Sequence, residues 1–407
     1  MTRKPDPEGD NMRITPASEL EDRYRKLQRY MAEEDLEAVI ILQNADLFYF
    51  TGTIQSGNLY VPLEGEPLYM VRKDFQRARG ESGLKEVMAF SSMKDIPSLL
   101  ADHGYPQPKR IGLELDVLPV NFFERYRKVF PHGEFSDATP LIRKVRMIKT
   151  GYEIQIIQGA ARQVDRVCQR AREIIHAGMS DLELAAELEF TARKEGHQGL
   201  LRMRAFNAEL FYAHVFSGAD SAVPAYMDTP LGGVGISTAF SQGAGYKKIG
   251  KNEPIIVDFA GCLDGYMVDQ TRVFAIGALS DRLKRGYDDM LRVQERMMVL
   301  AANRASWGDI YDECLALALN LGYADSFMGN KGAQVSFIGH GIGIEIDEYP
   351  FLARGFRDMT LEPGMVFAFE PKVVFPGEGA VGIENTFYLT DNGLKQITYS
   401  SQDLAIL

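Results

Sequence analysis

The 407-residue sequence predicts two domains: an N-terminal α/β layer domain and a larger C-terminal domain of long helices and carboxylate-bearing hairpins. Three observations predict this. Helical and strand segments alternate up to about Leu141, as in helices layered on a sheet. The run Arg143-Lys144-Val145-Arg146-Met147-Ile148-Lys149 breaks the alternation and reads as a solvated linker on an acidic chain rather than a nucleic-acid patch. Beyond it, two apolar hairpins each carry a pair of acidic residues.

In chain order, Met1 to Asn11 is polar, lacks the apolar core of a signal peptide and is expected as a frayed tail. Ala17 to Glu34 reads as an amphipathic helix, because Leu20, Tyr24, Leu27, Tyr30 and Met31 recur at spacings of three and four. Ser18 is expected to cap it, with Glu21 as the capping-box partner. Leu36 to Leu42 reads as a short buried strand, and Asn44-Ala45-Asp46 as the start of a turn. Tyr60 to Leu63 and Pro67 to Val71 flank Glu64-Gly65-Glu66, a hairpin pattern; Arg110 to Glu114 is another strand. Tyr152 to Ala177 is the clearest helix, with Ile154, Ile157, Ala161, Val164, Cys168, Ala171 and Ile175 on one stripe. Ser180 with Glu183 forms a capping box for a helix to about Glu195, and a third long helix runs from near Ser280 to about Arg304.

The first acidic hairpin runs from Ile255 to Phe274, with Asp264-Gly265 as its turn signal. If Leu263 pairs with Tyr266, Asp258 lies opposite Thr271 and diagonal to Asp269, about 7–8 Å away on the same face. The second runs from Met365-Val366-Phe367-Ala368-Phe369-Glu370 to Gly382-Ile383-Glu384; centred on Gly377, it puts Glu370 opposite Glu384. Between the two sits Gly339-His340-Gly341-Ile342-Gly343. Carboxylates aimed at one apolar face repel one another unless something positive lies between them. Four carboxylates and an imidazole suit one or two hard or borderline divalent ions, manganese, cobalt or iron better than a closed structural zinc site.

This order, Asp258, Asp269 eleven residues on, His340 in its glycine setting, Glu370 and Glu384, resembles the five-ligand pattern of the pita-bread metallohydrolases: methionine aminopeptidase, aminopeptidase P, prolidase and creatinase. The N-terminal alternation, with Tyr49-Phe50-Thr51-Gly52, is similar to the creatinase and aminopeptidase P branch. The resemblance implies a tail over residues 1–15, a creatinase-like α/β domain over 16–149 and an α+β pita-bread domain over 150–407. It implies two divalent ions, manganese first, with cobalt, iron or zinc also in range. Asp269 and Glu384 would bridge them, Asp258 completing one and His340 and Glu370 the other. Glu370 would also take the proton of the reacting water. A homodimer and cleavage of a peptide or amide bond, in the manner of an Xaa-Pro aminopeptidase or dipeptidase, are implied as well.

Three positions depart from the pattern. Ala225 and Asp347 stand where prolidase-like members have histidines, and Gly382 where an arginine precedes the last ligand. Alanine and glycine offer no side-chain hydrogen bond and aspartate is an acceptor, so the substrate apparatus is altered. His214, Arg202 and Arg204, and Tyr226 and Tyr349 are the candidates to compensate, and Asp347 is a candidate to receive a cationic substrate group. A metal-dependent hydrolase is the leading expectation. A creatinase-like C–N hydrolase or lyase is the second, and a non-catalytic metal-binding homologue the third.

Composition limits the partners. A formal net charge of −11 argues against nucleic acid or an anionic membrane surface, and no apolar run is long enough for a transmembrane helix. Cys168, Cys262 and Cys314 are few, odd in number and widely spaced, which reads as buried thiols in the cytoplasm.

Overall fold

The computed structural model describes residues 12–407; the expected tail from Met1 to Asn11 lies outside the described residues. The chain divides into two compact units, one ending at Val145 and one beginning at Arg146.

The first unit contains α1 (Ala17–Glu33), β1 (Ala38–Ile41), α2 (Asn44–Thr51), β2 (Gly57–Pro62), β3 (Leu68–Val71), α3 (Phe75–Glu81), β4 (Glu86–Ala89), α4 (Ile96–Asp102), β5 (Arg110–Leu113), α5 (Val120–Val129) and β6 (Glu134–Asp137). Its six strands form one mixed sheet in the order β4-β3-β2-β1-β5-β6. The expected β2–β3 hairpin forms, with Tyr60 opposite Leu68. Two local expectations are corrected. Ser18 does not cap α1: the helix starts at Ala17, as expected, behind Pro16, whose carbonyl accepts from Leu20. Asn44 begins a helix rather than a turn, because the Gln43 side chain accepts from the amides of Ala45 and Asp46 and caps it.

After α6 (Thr139–Met147), the second unit contains α7 (Gly151–Ile174), α8 (Asp181–Lys194), β7 (Ala213–Ser217), β8 (Ile255–Leu263), β9 (Tyr266–Ala275), α9 (Asp281–Ala302), α10 (Trp307–Asn320), β10 (Phe337–Ile342), β11 (Ile346–Ala353), β12 (Val366–Phe369), β13 (Lys372–Phe375), β14 (Gly379–Gly382), β15 (Asn385–Thr390), β16 (Gly393–Gln396) and β17 (Ala405–Ile406). A four-stranded sheet runs β17-β9-β8-β7, a five-stranded sheet β11-β10-β12-β15-β16, and β13 pairs with β14 alone. Ser180 and Glu183 form the expected capping box on α8. Helix α7 lies so close to the β8–β9 hairpin that a Cβ on Gly261 would meet the Ala160 carbonyl at 2.6 Å. A core that includes Trp307, Met290, Phe367, Phe369, Val373 and Ile383 fills the space beneath the sheets.

The basic run is not solvated. Arg146 and Lys149 are buried, at 3% and 6% exposure. Arg146 pairs with Glu345 at 2.7 Å and with Glu348, and Lys149 reaches Glu348 at 2.9 Å. Glu348 also accepts from the amides of Ile344 and Glu345. The cations therefore shape the turn that follows His340.

His197 fixes the approach to β8. Gly199 N–H donates to its Nδ1 at 2.9 Å, so the ring is neutral with the proton on Nε2, which donates to the Ala260 carbonyl at 3.1 Å. Burial, helped by the nearby Arg193 charge, holds its pKa down at about 4. The unfolded chain binds this proton from about pH 6.5, the folded chain only near 4. Stability is therefore full above the unfolded value and falls as the pH drops through that window, by about 2–3 kcal/mol. His197→Phe is expected to be less stable at neutral pH and to lose this limb. Urea unfolding across the window checks it: the gap between the two proteins should narrow as the pH falls.

Candidate metal centre

The β8–β9 register is the expected one, Leu263 opposite Tyr266 and Asp258 opposite Thr271. Strand alternation then turns Asp258 and Asp269 to the same face. In the second hairpin one register runs through two sheets: Phe369 opposite Asn385 in β12–β15, and Lys372 opposite Gly382 in β13–β14. Glu370 and Glu384 sit at the break between them, where the backbone turns from one sheet to the other. Their amides bond elsewhere, Glu370 N–H to Ile338 and Glu384 N–H to Thr271.

His340 lies in β10 between Phe351 of β11 and Ala368 of β12. Its neighbours must be glycine. A Cβ on Gly339 would meet the Ala368 carbonyl at 2.5 Å, and one on Gly341 the Tyr349 carbonyl at 2.2 Å. The imidazole Nδ1 faces the Gly341 carbonyl at 3.2 Å and Asp347 Oδ1 at 3.6 Å, both acceptors, so Nδ1 carries the proton. Nε2 then points at Glu370 Oε1 and Glu384 Oε1, at 3.8 and 4.0 Å.

All five predicted ligand residues line one cavity of about 70 Å³, together with His214, Gln242 and Asp347. Asp269, His340 and Glu384 offer ligand atoms within 4.8 Å of one another. The donor set is hard or borderline, so it fits a divalent ion of the first transition row. The electrostatics agree. Asp269 is pushed well up by burial and by the neighbouring Glu384 and Asp258. Burial also raises Glu370, to about 7, although Lys372 opposes it. Asp258 goes the other way, to about 2: burial alone would raise it, but the Lys372 charge, His214 and Thr271 together outweigh burial. A cluster that must hold protons to balance its charge is one from which a bound cation would displace them.

Lys372 is the residue that the sequence reading missed. Its Nζ stands 2.5 Å from Glu370 Oε2, 3.0 Å from Glu384 Oε2 and 3.5 Å from Asp258 Oδ2, with the side chain 1% exposed. Period-two alternation could have found it, since residues 370 and 372 fall on one face when the segment is read as a continuous strand. Gln242 was also missed; it is buried, its Nε2 lies 3.4 Å from His214 Nε2, and its Oε1 has no partner.

The proposed substrate residues divide. His214 reaches the site, opposite Asp258 in β7–β8, with Nδ1 3.9 Å from Asp258 Oδ2. Asp347 lines the cavity in a left-handed conformation (φ 66°), with Oδ1 3.6 Å from His340 Nδ1. Arg204 is buried and faces Glu345 at 3.9 Å, and it does not line the cavity. Tyr226 is 54% exposed and packs edge-on against Phe240. Tyr349 packs against Trp307 and Phe351. Cys262 is buried away from the cavity, and burial pushes its thiol up to about 12.

Residues 155–391 match the model of metallopeptidase family M24, and residues 23–148 match the creatinase/prolidase N-terminal domain. The chain belongs to metallopeptidase family M24. As an M24 member it is a pita-bread hydrolase whose family uses divalent metal ions, and the non-peptidase and non-catalytic readings are not favoured. It is similar to the Xaa-Pro dipeptidase of Pyrococcus furiosus, 27% identical over 387 residues, covering 95% of this chain and 100% of the relative. Among solved structures it resembles the Xaa-Pro dipeptidase from Bacillus anthracis, with TM-score 0.80 and 25% identity over 95% of this chain and 100% of that one. The prolidase from Pyrococcus horikoshii OT3 superposes with TM-score 0.78 and 25% identity, over 94% and 99% of the chains. Among the described residues, no helix is long and apolar enough to cross a membrane.

Proposed function

We propose that this M24 member cleaves short peptides with proline after the scissile bond, as the names of its relatives suggest. The observation that carries the proposal is the convergence of Asp258, Asp269, His340, Glu370 and Glu384 on the floor of one cavity. A divalent ion held there, manganese first and cobalt, iron or zinc after it, would polarise a carbonyl and lower the pKa of water. Glu370 is assigned the proton transfer, because its carboxylate lines the same cavity as the other four ligand residues. His214 and Gln242 border the same space; the His214 Nε2 is directed at the Gly232 carbonyl at 3.2 Å, so Gln242 is the one proposed to donate to a substrate carbonyl.

A wider cavity of about 510 Å³ adjoins, sharing Asp228, Phe337, His340 and Asp347 with the first and adding Arg354. Asp228 and Asp347 suit the free amine of a dipeptide, and Arg354 its carboxylate. The cation-binding role is assigned to Asp347 at the mouth of the site, and the carboxylate clamp to Arg354 instead of Arg204. The homodimer and the cytoplasmic location rest on the resemblance and on three buried free thiols.

The test is a panel of Xaa-Pro dipeptides, their N-acetylated and C-amidated forms, and small amides, run on the manganese-, cobalt- and iron-loaded protein. The free dipeptides are expected to lead in kcat/KM by about tenfold or more over either blocked form, the worth of one charged contact. Equal cleavage of blocked and free forms would remove the terminal contacts. No cleavage of any Xaa-Pro peptide beside turnover of a small amide would remove the substrate assignment.

A further inference from the structure

The structure assigns Lys372 to the centre itself: its ammonium is a built-in cation on one side of the carboxylate cluster, and the centre therefore takes a single divalent ion. This rests on the metallopeptidase reading above and deepens it.

The carboxylate oxygens are sorted into two sets. Glu370 and Glu384 each turn Oε2 to Lys372 Nζ, and Asp258 adds Oδ2 on that side. The same two glutamates turn Oε1 to His340 Nε2, where Asp269 joins His340 and Glu384 as a compact ligand group. An ion on the imidazole side finds Glu370 Oε1 and Glu384 Oε1 turned away from the ammonium, beside Asp269, whose Oδ1 accepts from the Gln270 amide at 2.9 Å. A second ion on the other side would bind Asp258 Oδ2 and Glu384 Oε2 at about 2.0–2.2 Å, competing with an ammonium already 3.0 Å from Glu384 Oε2 and 3.5 Å from Asp258 Oδ2. Thr271 Oγ1 also donates to Glu384 Oε2, at 2.6 Å, which occupies that oxygen further.

Backbone packing makes room for the lysine. Lys372 lies directly across from Gly382, and a Cβ on Gly382 would come within 2.7 Å of Lys372 Cγ. A side chain at 382 and a lysine at 372 are thus hard to combine, and this chain has the lysine.

Manganese uptake by the full chain, counted by elemental analysis and read by electron paramagnetic resonance, tests the inference. The unmodified protein is expected to saturate at about one ion per chain, with the spectrum of an isolated ion. Lys372→Ala, which removes the ammonium and opens its space, is expected to take up about two, with the spectrum of an exchange-coupled pair. Two ions in the unmodified protein would overturn the inference whatever the variant does. A properly folded Lys372→Ala that stays at one ion would overturn it too, because something other than the ammonium would then exclude the second. No metal in the unmodified protein would instead overturn the metallopeptidase reading of the site, and the inference with it.

Discussion

Replacing Glu384 by alanine is expected to release the bound metal and to lower kcat/KM for dipeptide cleavage by about 10³-fold or more. Glu384 is the residue on which both sides of the cluster depend. Its Oε1 faces His340 Nε2, while its Oε2 accepts from Lys372 and Thr271. Its loss removes one member of the tightest ligand group and leaves Lys372 with one partner fewer in a buried setting. Elemental analysis beside steady-state kinetics checks the prediction, with circular dichroism to show that the fold persists. Asp347→Asn makes the contrast. It should keep its metal and raise KM for a dipeptide with a free amine. A folded Glu384→Ala protein with undiminished metal would dismantle the site assignment.

Arg146→Ala is expected to cost about 3–5 kcal/mol of stability, the usual loss when one partner of a buried ion pair is removed. The guanidinium serves Glu345 and Glu348 together, and Lys149 alone cannot neutralise both. Burial by itself would raise the Glu348 pKa, but Arg146 and Lys149 outweigh burial and hold it at about 2. A carboxylate held below its ordinary value stabilises the fold above the ordinary carboxylate range and loses that contribution as the pH falls toward 2. The Arg146→Ala protein should therefore begin to unfold at higher pH than the parent on acidification. Urea midpoints at neutral pH and an acid titration followed by fluorescence measure both effects. Glu348 holds the turn between His340 and Asp347 through the amides of Ile344 and Glu345, so metal affinity should weaken as well. An unchanged urea midpoint would show that the cluster contributes nothing net.

Much of the site was legible because β-structure has a period of two and a hairpin has one centre. Asp264-Gly265 placed the first turn, and every pairing from Leu263–Tyr266 to Asp258–Thr271 followed by counting. Centring the second hairpin on Gly377 placed Glu370 opposite Glu384, and the same register holds Lys372 opposite Gly382 in β13–β14. Helix α7 was readable from its apolar spacing and α8 from its serine capping box. Local rules failed where the decisive partner was unusual. Gln43 caps α2 in place of the expected turn, and Pro16 displaces Ser18 at the start of α1.

By itself, then, the sequence determined the two fold classes, the hairpin registers and the set of oxygen and nitrogen donors, because each depends on residues close together in the chain or on a repeating period. Tertiary structure alone decided which charges are buried together. Arg146 and Lys149 look like a solvated basic run until residues about 200 positions away surround them. Lys372 looks like an ordinary strand lysine until three carboxylates from two hairpins close on its ammonium. Burial changes the energy of a charge by far more than any local preference does, and burial is a property of the packed chain.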